Sequence, residues 1–261
     1  MNNLHSRTVK IGQLDIHYLT GGAGEPLIII HGGGVGANAW LENATELSKR
    51  HRVYVPDLPG FGRSQSMGDN FSVPEFSEFV EQFSLAMGLE RFHLLGHSIG
   101  GCIALDYAFK YSHRVKKLVL ISSFCLGKEL ALWVRFLCSK AIRKSVGELV
   151  LTVLRLVRWL ARSVFTPSEQ AGFISRFKMN IGKSFTTLKG QAIVLQSRLS
   201  ELVVPTLVVW GAKDNIVPVR QAYAALQAIP DGHLHVFEGL GHSPFRQNVV
   251  EFSEIMSRFL S

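Results

Sequence analysis

The chain has 261 residues, of which 47% are hydrophobic, and its formal net charge at pH 7 is +8. This length and composition suit one domain with a large buried core. The first residues contain no apolar stretch of the signal-peptide type, so a secretory leader is not expected. No motif that reads nucleic acid accompanies the positive charge, which argues against a nucleic-acid partner.

Three cysteines, Cys102, Cys125 and Cys138, are an odd number and lack the spacing of a metal site. Their simplest interpretation is reduced thiols in a cytoplasmic protein. Cys102 is interpreted as a small packing residue, because free cysteine is readily buried. We therefore expect a cytoplasmic location, no metal and no cofactor.

Short apolar segments alternate with helical patterns along the chain. Strands are predicted near 8–11, 14–18, 27–31, 53–56, 92–96, 117–122, 206–211 and 233–237, and helices near 39–49, 74–87, 99–110, 219–228 and 247–260. The first two strands form an antiparallel lead-in. The later alternation predicts a mostly parallel sheet with helices on both faces. In such a sheet the site lies at the carboxyl ends of the strands.

A glycine-rich loop follows the third predicted strand, where His31 leads into Gly32, Gly33 and Gly34. One interpretation is a plain glycine turn. The other is a loop whose backbone N–H groups face a developing negative charge, of the lipase and esterase type. In that case His31 braces the loop and the N–H group of Gly33 is a predicted donor.

Residues 96–100 read Gly-His-Ser-Ile-Gly between a predicted strand and a predicted helix. This is the G-x-S-x-G pattern in the setting of a nucleophile elbow. Gly96 and Gly100 leave room for a tight turn that exposes the hydroxyl of Ser98 at the start of the helix. Because the motif also occurs by chance, its weight depends on partners elsewhere in the chain.

Two further polar residues follow predicted strands. Asp214 lies in the loop after the strand near 206–211, and His242 lies in a glycine turn after the strand near 233–237. The chain order Ser98, Asp214, His242 is that of the α/β-hydrolases and differs from the trypsin-like and subtilisin-like orders. Asp57 has suitable chemistry but precedes the elbow, so Asp214 is the predicted acid.

With these motifs the chain resembles the α/β-hydrolase family, which includes esterases, lipases, haloalkane dehalogenases and carbon–carbon bond hydrolases. Residues 57–64 are also similar to the D-x-P-G-x-G-x-S stretch common in these enzymes. The resemblance implies an α/β-hydrolase fold with a core at 1–124 and 201–261 and a helical cap at 125–200. A serine at position 98 argues against dehalogenase chemistry, which in this family needs an aspartate there.

The resemblance also implies a mechanism. His242 takes the proton of Ser98, Asp214 orients the imidazole, and Ser98 attacks an acyl carbon to form an acyl-enzyme. The predicted oxyanion-hole donors are the N–H groups of Gly33 and Ile99.

The substrate class has three interpretations. Residues 31–40 resemble the H-G-G-G-P-G-A-x-x-W stretch of the meta-cleavage-product hydrolases, which cut carbon–carbon bonds in diketones, but Val35, Glu42 and residues 243–245 depart from that pattern. A carboxylesterase for a small hydrophobic substrate needs none of those residues and is preferred. A binding protein with slow turnover is the third interpretation. The residues expected to contact the substrate are Gly32, Gly34, Trp40, His97 and Phe245.

The segment interpreted as the cap is strongly basic. Residues 128–198 include thirteen Lys and Arg against three Glu, so this segment carries +10 and the rest of the chain −2. Arg155, Arg158 and Arg162 share one face of a predicted helix over 149–165. That face is either a solvated side of a cap helix or a contact for an anionic lipid surface or substrate. The interior arginines argue against a membrane span.

Overall fold

A computed structural model describes residues 4–66, 72–138, 186–187 and 190–261, and its centre is an eight-stranded sheet. The strands are β1 (His5–Ile11), β2 (Leu14–Gly21), β3 (Glu25–Ile30), β4 (His51–Pro56), β5 (Phe92–His97), β6 (Val115–Ile121), β7 (Thr186–Thr187), β8 (Gly190–Gln191), β9 (Thr206–Gly211) and β10 (Gly232–Phe237). The sheet order is β1-β2-β4-β3-β5-β6-β9-β10, while β7 and β8 form a separate pair.

The direction of the strands creates a crevice at one edge of this sheet. β1 and β2 pair antiparallel, as predicted, and β2 pairs antiparallel with β4. The other strands, from β4 through β3, β5, β6 and β9 to β10, are parallel. Because β3 lies between β4 and β5, the chain leaves β3 toward one side and later returns on the other. Such a switch point opens a crevice at the carboxyl ends of the strands.

In the described ranges, helices lie between the strands along the chain and after the last strand. They are α1 (Leu41–Leu47), α2 (Val73–Ala86), α3 (Ile99–Lys110), α4 (Leu132–Cys138), α5 (Arg220–Ala228), α6 (Pro244–Gln247) and α7 (Val249–Leu260), with 3₁₀ turns at Ala37–Trp40, Ser112–Arg114 and Gln196–Glu201. The helix predicted near 39–49 is shorter than expected, because the first 3₁₀ turn takes up its start. α2 begins with a capping box between Ser72 and Glu75.

Two apolar layers cover the sheet, one on each face. Ile28 and Ile30 belong to the layer that contains α2 and α3, whereas Leu27 and Ile29 belong to the layer that contains α1 and α7. Successive side chains of a strand point to opposite faces, so this continuous apolar run is buried on both sides. The packing confirms the predicted fold class: a mostly parallel sheet with helices on both faces.

The predicted cap at 125–200 falls largely outside the described residues, and so does the basic helix with Arg155, Arg158 and Arg162. The division into core and cap therefore stays a prediction. Where the chain is described, the two ends of this segment are tied together, since the N–H group of Gln191 donates to the carbonyl of Lys128 at 2.7 Å. Within the described ranges, every helix is too short or too polar to cross a membrane.

The prediction of three reduced cysteines is wrong for two of them. Cys102 and Cys125 form a disulfide, with their Cα atoms 5.4 Å apart. Cys102 lies in the first turns of α3, after β5, and Cys125 follows β6, so the pairing of β5 with β6 brings the two residues together. Disulfides persist in oxidising environments, so the cysteines no longer support a cytoplasmic location.

Candidate active site

The carboxyl edge of the sheet brings together the three residues that the motifs predict. Ser98 follows β5, Asp214 follows β9 and His242 follows β10. The Ser98 hydroxyl donates to Nε2 of His242 over 3.0 Å, and Nδ1 of His242 donates to Oδ2 of Asp214 over 2.8 Å. A hydroxyl, an imidazole and a carboxylate are thus joined by hydrogen bonds, which is the arrangement needed to activate a serine.

The backbone of Ser98 is held in a conformation that few residues adopt, with φ 56° and ψ −119°. Such a conformation costs on the order of 1–3 kcal/mol and persists only where the surroundings impose it. A Cβ atom at Gly96 would lie 2.3 Å from the carbonyl oxygen of Gly100, and one at Gly100 would lie 2.4 Å from that of Ile30. Only glycine therefore permits this tight turn, and α3 begins directly after Ser98.

Backbone hydrogen bonds fix the same turn from its other side. The N–H group of Ser98 donates to the carbonyl of Ile121 at 2.9 Å, and the N–H group of Phe124 donates to the carbonyl of Ser98 at 3.0 Å. The end of β6 and the segment after it therefore hold the elbow in place. The disulfide between Cys102 and Cys125 lies beside these bonds.

The carboxylate of Asp214 has its orientation fixed by three donors. Oδ1 accepts from the N–H groups of Ile216 and Val217, at 2.8 and 3.0 Å, while Oδ2 accepts from His242. The side chain of Asp214 is fully buried, whereas that of His242 is 13% exposed. The imidazole is therefore partly open to solvent, and the carboxylate is shielded from water.

The glycine loop lies against Ser98. A Cβ atom at Gly32 would be 3.2 Å from Cβ of Ser98 and 2.7 Å from Nδ1 of His97, so a side chain at position 32 would require these residues to shift. His31 braces the loop as predicted: Nδ1 donates to the carbonyl of Gly32 at 2.8 Å, and Nε2 accepts from the N–H group of Leu58 at 3.0 Å. Gly34 has a φ of 79°, in the left-handed region. The roles of Gly33 and Ile99 as oxyanion donors stay predictions.

The two aromatic residues expected at the substrate have core partners. Trp40 and Phe245 are buried and stacked, with ring centroids 3.8 Å apart, and both rings also contact Phe252. These contacts place them in the layer that contains α1 and α7. Substrate binding by Trp40 and Phe245 stays a prediction, whereas their packing role is observed.

His97 has a partner that sequence reasoning did not anticipate. Its Nε2 donates to the carbonyl oxygen of His242 at 2.9 Å, and the two imidazole rings are 5.0 Å apart. Burial, followed by the charge of His242, lowers the pKa of His97 to about 3. His97 is therefore neutral at physiological pH. In the sequence, the one sign that His97 contacts the site is that it is adjacent to Ser98.

A second Ser–His–Asp chain is formed by Ser6, His17 and Asp57. The Ser6 hydroxyl donates to Nε2 of His17 at 2.8 Å, and Nδ1 of His17 donates to Oδ2 of Asp57 at 2.7 Å. The carboxylate of Asp57 also accepts from the N–H groups of Ala37 and Arg63, at 2.6 and 2.9 Å. Asp57 thereby joins the end of the glycine loop, at Ala37, to the turn that follows β4, at Arg63. Asp57 bonds His17, whereas Asp214 bonds His242, which agrees with the choice of Asp214 as the acid.

Comparison with known proteins identifies the class. Residues 25–249 match the family model of the alpha/beta hydrolase fold. This match covers most of the chain, so the protein belongs to the α/β-hydrolase family and is a hydrolase of that fold.

Particular relatives differ in what they act on. The chain is 31% identical to a 2-hydroxy-6-oxononadienedioate/2-hydroxy-6-oxononatrienedioate hydrolase of Comamonas testosteroni, over 94% of this chain and 91% of that protein. It is 26% identical to a membrane phospholipase A described as a bacterial virulence factor, with a TM-score of 0.76 over 98% of this chain and 86% of that one. A carboxylesterase from Bacillus subtilis shares the fold, with 19% identity and a TM-score of 0.77 over 99% and 92%.

Proposed function

We propose that the protein is a serine hydrolase that cleaves a carboxylic ester of a small hydrophobic substrate through an acyl-enzyme. The observation that carries this proposal is the hydrogen-bonded chain from Ser98 through His242 to Asp214, built on a strained elbow. The elbow places the hydroxyl at the start of α3, where unpaired backbone N–H groups favour negative charge.

The geometry supports the following sequence of events. His242 accepts the proton of Ser98 as the hydroxyl oxygen attacks the acyl carbon, and Asp214 stabilises the imidazolium that forms. The N–H groups of Ile99 and Gly33 would stabilise the oxyanion, each contributing about 3 kcal/mol to the transition state. His242 then returns the proton to the leaving alcohol. Water, deprotonated by the same imidazole, hydrolyses the acyl-enzyme.

The choice between an ester and a carbon–carbon bond rests on different observations. The 31% identical relative from Comamonas testosteroni favours a dienedioate substrate of the meta-cleavage type. Against this, Val35, Glu42 and residues 243–245 depart from the pattern of that subgroup. The 26% identical phospholipase A favours an ester. Since the ester needs none of the subgroup residues, we place it first and the carbon–carbon bond second.

One panel of substrates separates these functions. The purified protein is assayed on p-nitrophenyl esters of increasing acyl length and, in parallel, on a ring-fission dienol diketone, with the Ser98→Ala variant as control. The proposal expects higher kcat/KM on a short or medium ester than on the diketone, with a burst of nitrophenol where deacylation is slow. Preferred turnover of the diketone would establish the carbon–carbon hydrolase instead. Saturable binding without turnover of either would indicate a binding protein.

A further inference from the structure

His97 connects three parts of the candidate site. It is the last residue of β5 and immediately precedes Ser98, yet its side chain is buried on the side of His242. Its Nε2 reaches the carbonyl of His242, and its ring packs edge-on against Phe245 with centroids 4.9 Å apart. A Cβ atom at Gly32 would lie 2.7 Å from Nδ1. One buried ring thus contacts the loop of the base, the aromatic core and the glycine loop.

The hydrogen bond to His242 defines the protonation state of this ring. A carbonyl oxygen only accepts, so Nε2 of His97 carries the proton. Nδ1 is buried without a hydrogen-bond partner in the described part of the chain. Protonation there would leave a buried charge facing His242, with His31 and Arg246 also contributing repulsion. His97 therefore stays uncharged while His242 gains and loses its proton.

The loop that carries His242 needs such an anchor. It joins β10 to α6 and contains Gly239, which has a φ of 83°, and Gly241. Glycine increases the number of conformations open to a loop. Other bonds hold the residues before the histidine: the carbonyl of Leu240 accepts from Lys213 at 2.8 Å, and Gly241 donates to Gln247 at 2.8 Å. His97 holds the backbone of His242 itself.

We propose that His97 is a positioning residue that fixes the backbone of His242, so that the imidazole reaches Ser98 and Asp214 together. This inference rests on the proposed function, because it assigns His242 as the base. Misplacement of a reacting group by about 1 Å can lower a rate on the order of 100-fold. Loss of the His97 donor is therefore expected to slow the reaction of Ser98 rather than to weaken substrate binding.

Two substitutions separate positioning from packing. His97→Gln keeps an N–H donor that can reach the carbonyl of His242, whereas His97→Leu fills the space without a donor. The matched control is His93→Leu, which removes another buried histidine from β5, at the opposite end of the strand, where it bonds Glu25. Because the buried amide oxygen of the glutamine lacks a partner, His97→Leu is expected to be at least as stable as His97→Gln.

The test measures how fast a fluorophosphonate labels Ser98 in each folded variant. In this reaction the serine oxygen attacks phosphorus, fluoride leaves and His242 takes up the hydroxyl proton. We expect labelling of His97→Leu to slow between about tenfold and 100-fold, His97→Gln to recover most of the rate, and His93→Leu to match the unmodified protein. On a p-nitrophenyl ester, kcat should fall with KM nearly unchanged.

Three results would overturn the inference. The first is an equal labelling rate in His97→Leu and the unmodified protein. The second is a lower labelling rate in both His97 variants that falls in step with their melting temperatures. The third is a rise in KM at constant kcat, which would indicate substrate contact instead. Absence of labelling in the unmodified protein would overturn the proposed function, and that outcome is distinct because it does not depend on any variant.

Discussion

Two Ser–His–Asp chains in this molecule have nearly the same hydrogen bonds. In one, Ser98 and Asp214 bond the two nitrogens of His242 at 3.0 and 2.8 Å; in the other, Ser6 and Asp57 bond those of His17 at 2.8 and 2.7 Å. In both, the carboxylate is buried and also accepts from two backbone N–H groups. The histidine and the aspartate therefore have the same arrangement of hydrogen bonds in both chains.

The difference lies in the setting of each serine. Ser98 stands on a strained turn, at the start of a helix and against a glycine loop. Ser6 lies exposed on the edge strand β1, in regular antiparallel register with Leu19. A helix N-terminus and a glycine loop beside a hydroxyl can stabilise the oxyanion that forms when this hydroxyl attacks. We therefore assign chemistry to the chain of Ser98 and bracing of the loops to the chain of Ser6.

The largest effect is expected from Ser98→Ala. Removing the nucleophile should lower kcat by several orders of magnitude, to the residual level that binding and oxyanion stabilisation provide. The melting temperature should stay the same or rise slightly, since the strained position needs no hydroxyl to pack. Retention of more than about a tenth of the activity would contradict the assignment, because nucleophile removal has far larger effects.

Asp214→Asn should come next in magnitude. An amide at this position favours the wrong imidazole tautomer of His242, and the expected loss in kcat is on the order of 10⁴-fold. The measurement is steady-state hydrolysis of a small ester, with circular dichroism as the control for folding. A loss below tenfold would mean that another group orients His242.

Asp57→Asn tests the other chain, and its main effect should be on stability. The carboxylate accepts from His17 and from two backbone N–H groups, so its replacement should lower the free energy of unfolding by about 2–4 kcal/mol. Urea denaturation gives this value directly. Activity per folded molecule should fall much less than in Asp214→Asn. If the two asparagine variants exchanged these behaviours, the two chains would have been assigned the wrong way round.

Ser6→Ala should have the smallest effect. Ser6 is an exposed residue whose hydroxyl bonds His17 and the guanidinium of Arg63, so the change in unfolding free energy should be within about 0.5 kcal/mol. Hydrolysis of a small ester should be unchanged. A large drop in activity with normal stability would show that Ser6 takes part in the chemistry.

The three catalytic candidates could be predicted from the sequence because of one simple rule. The carboxyl ends of parallel strands meet at one edge, so residues that follow β5, β9 and β10 come together although they are far apart in the chain. The glycine spacing around Ser98 predicted the elbow, because glycine leaves room for a tight turn there. The predicted strands lie close to the observed ones because short apolar runs bounded by turns are strong local signals.

Other features depend on pairings that no local pattern carries. The bond between Cys102 and Cys125 requires knowing how the chain turns after β6, and their number favoured free thiols. The contact of His97 with the carbonyl of His242 depends on which side of β5 the ring occupies. The chain from Ser6 to Asp57 joins β1, β2 and the turn after β4, and only the antiparallel register of β1 and β2 places Ser6 near His17.

Mapping a covalent label distinguishes the two serines, of which we assign only Ser98 as a nucleophile. The native protein is treated with a fluorophosphonate, digested, and analysed by peptide mass spectrometry that covers Ser6 and Ser98. We expect an adduct on Ser98, prevented by a competing ester, and none on Ser6. An adduct on Ser6 in the native protein, or an unlabelled Ser98, would contradict it.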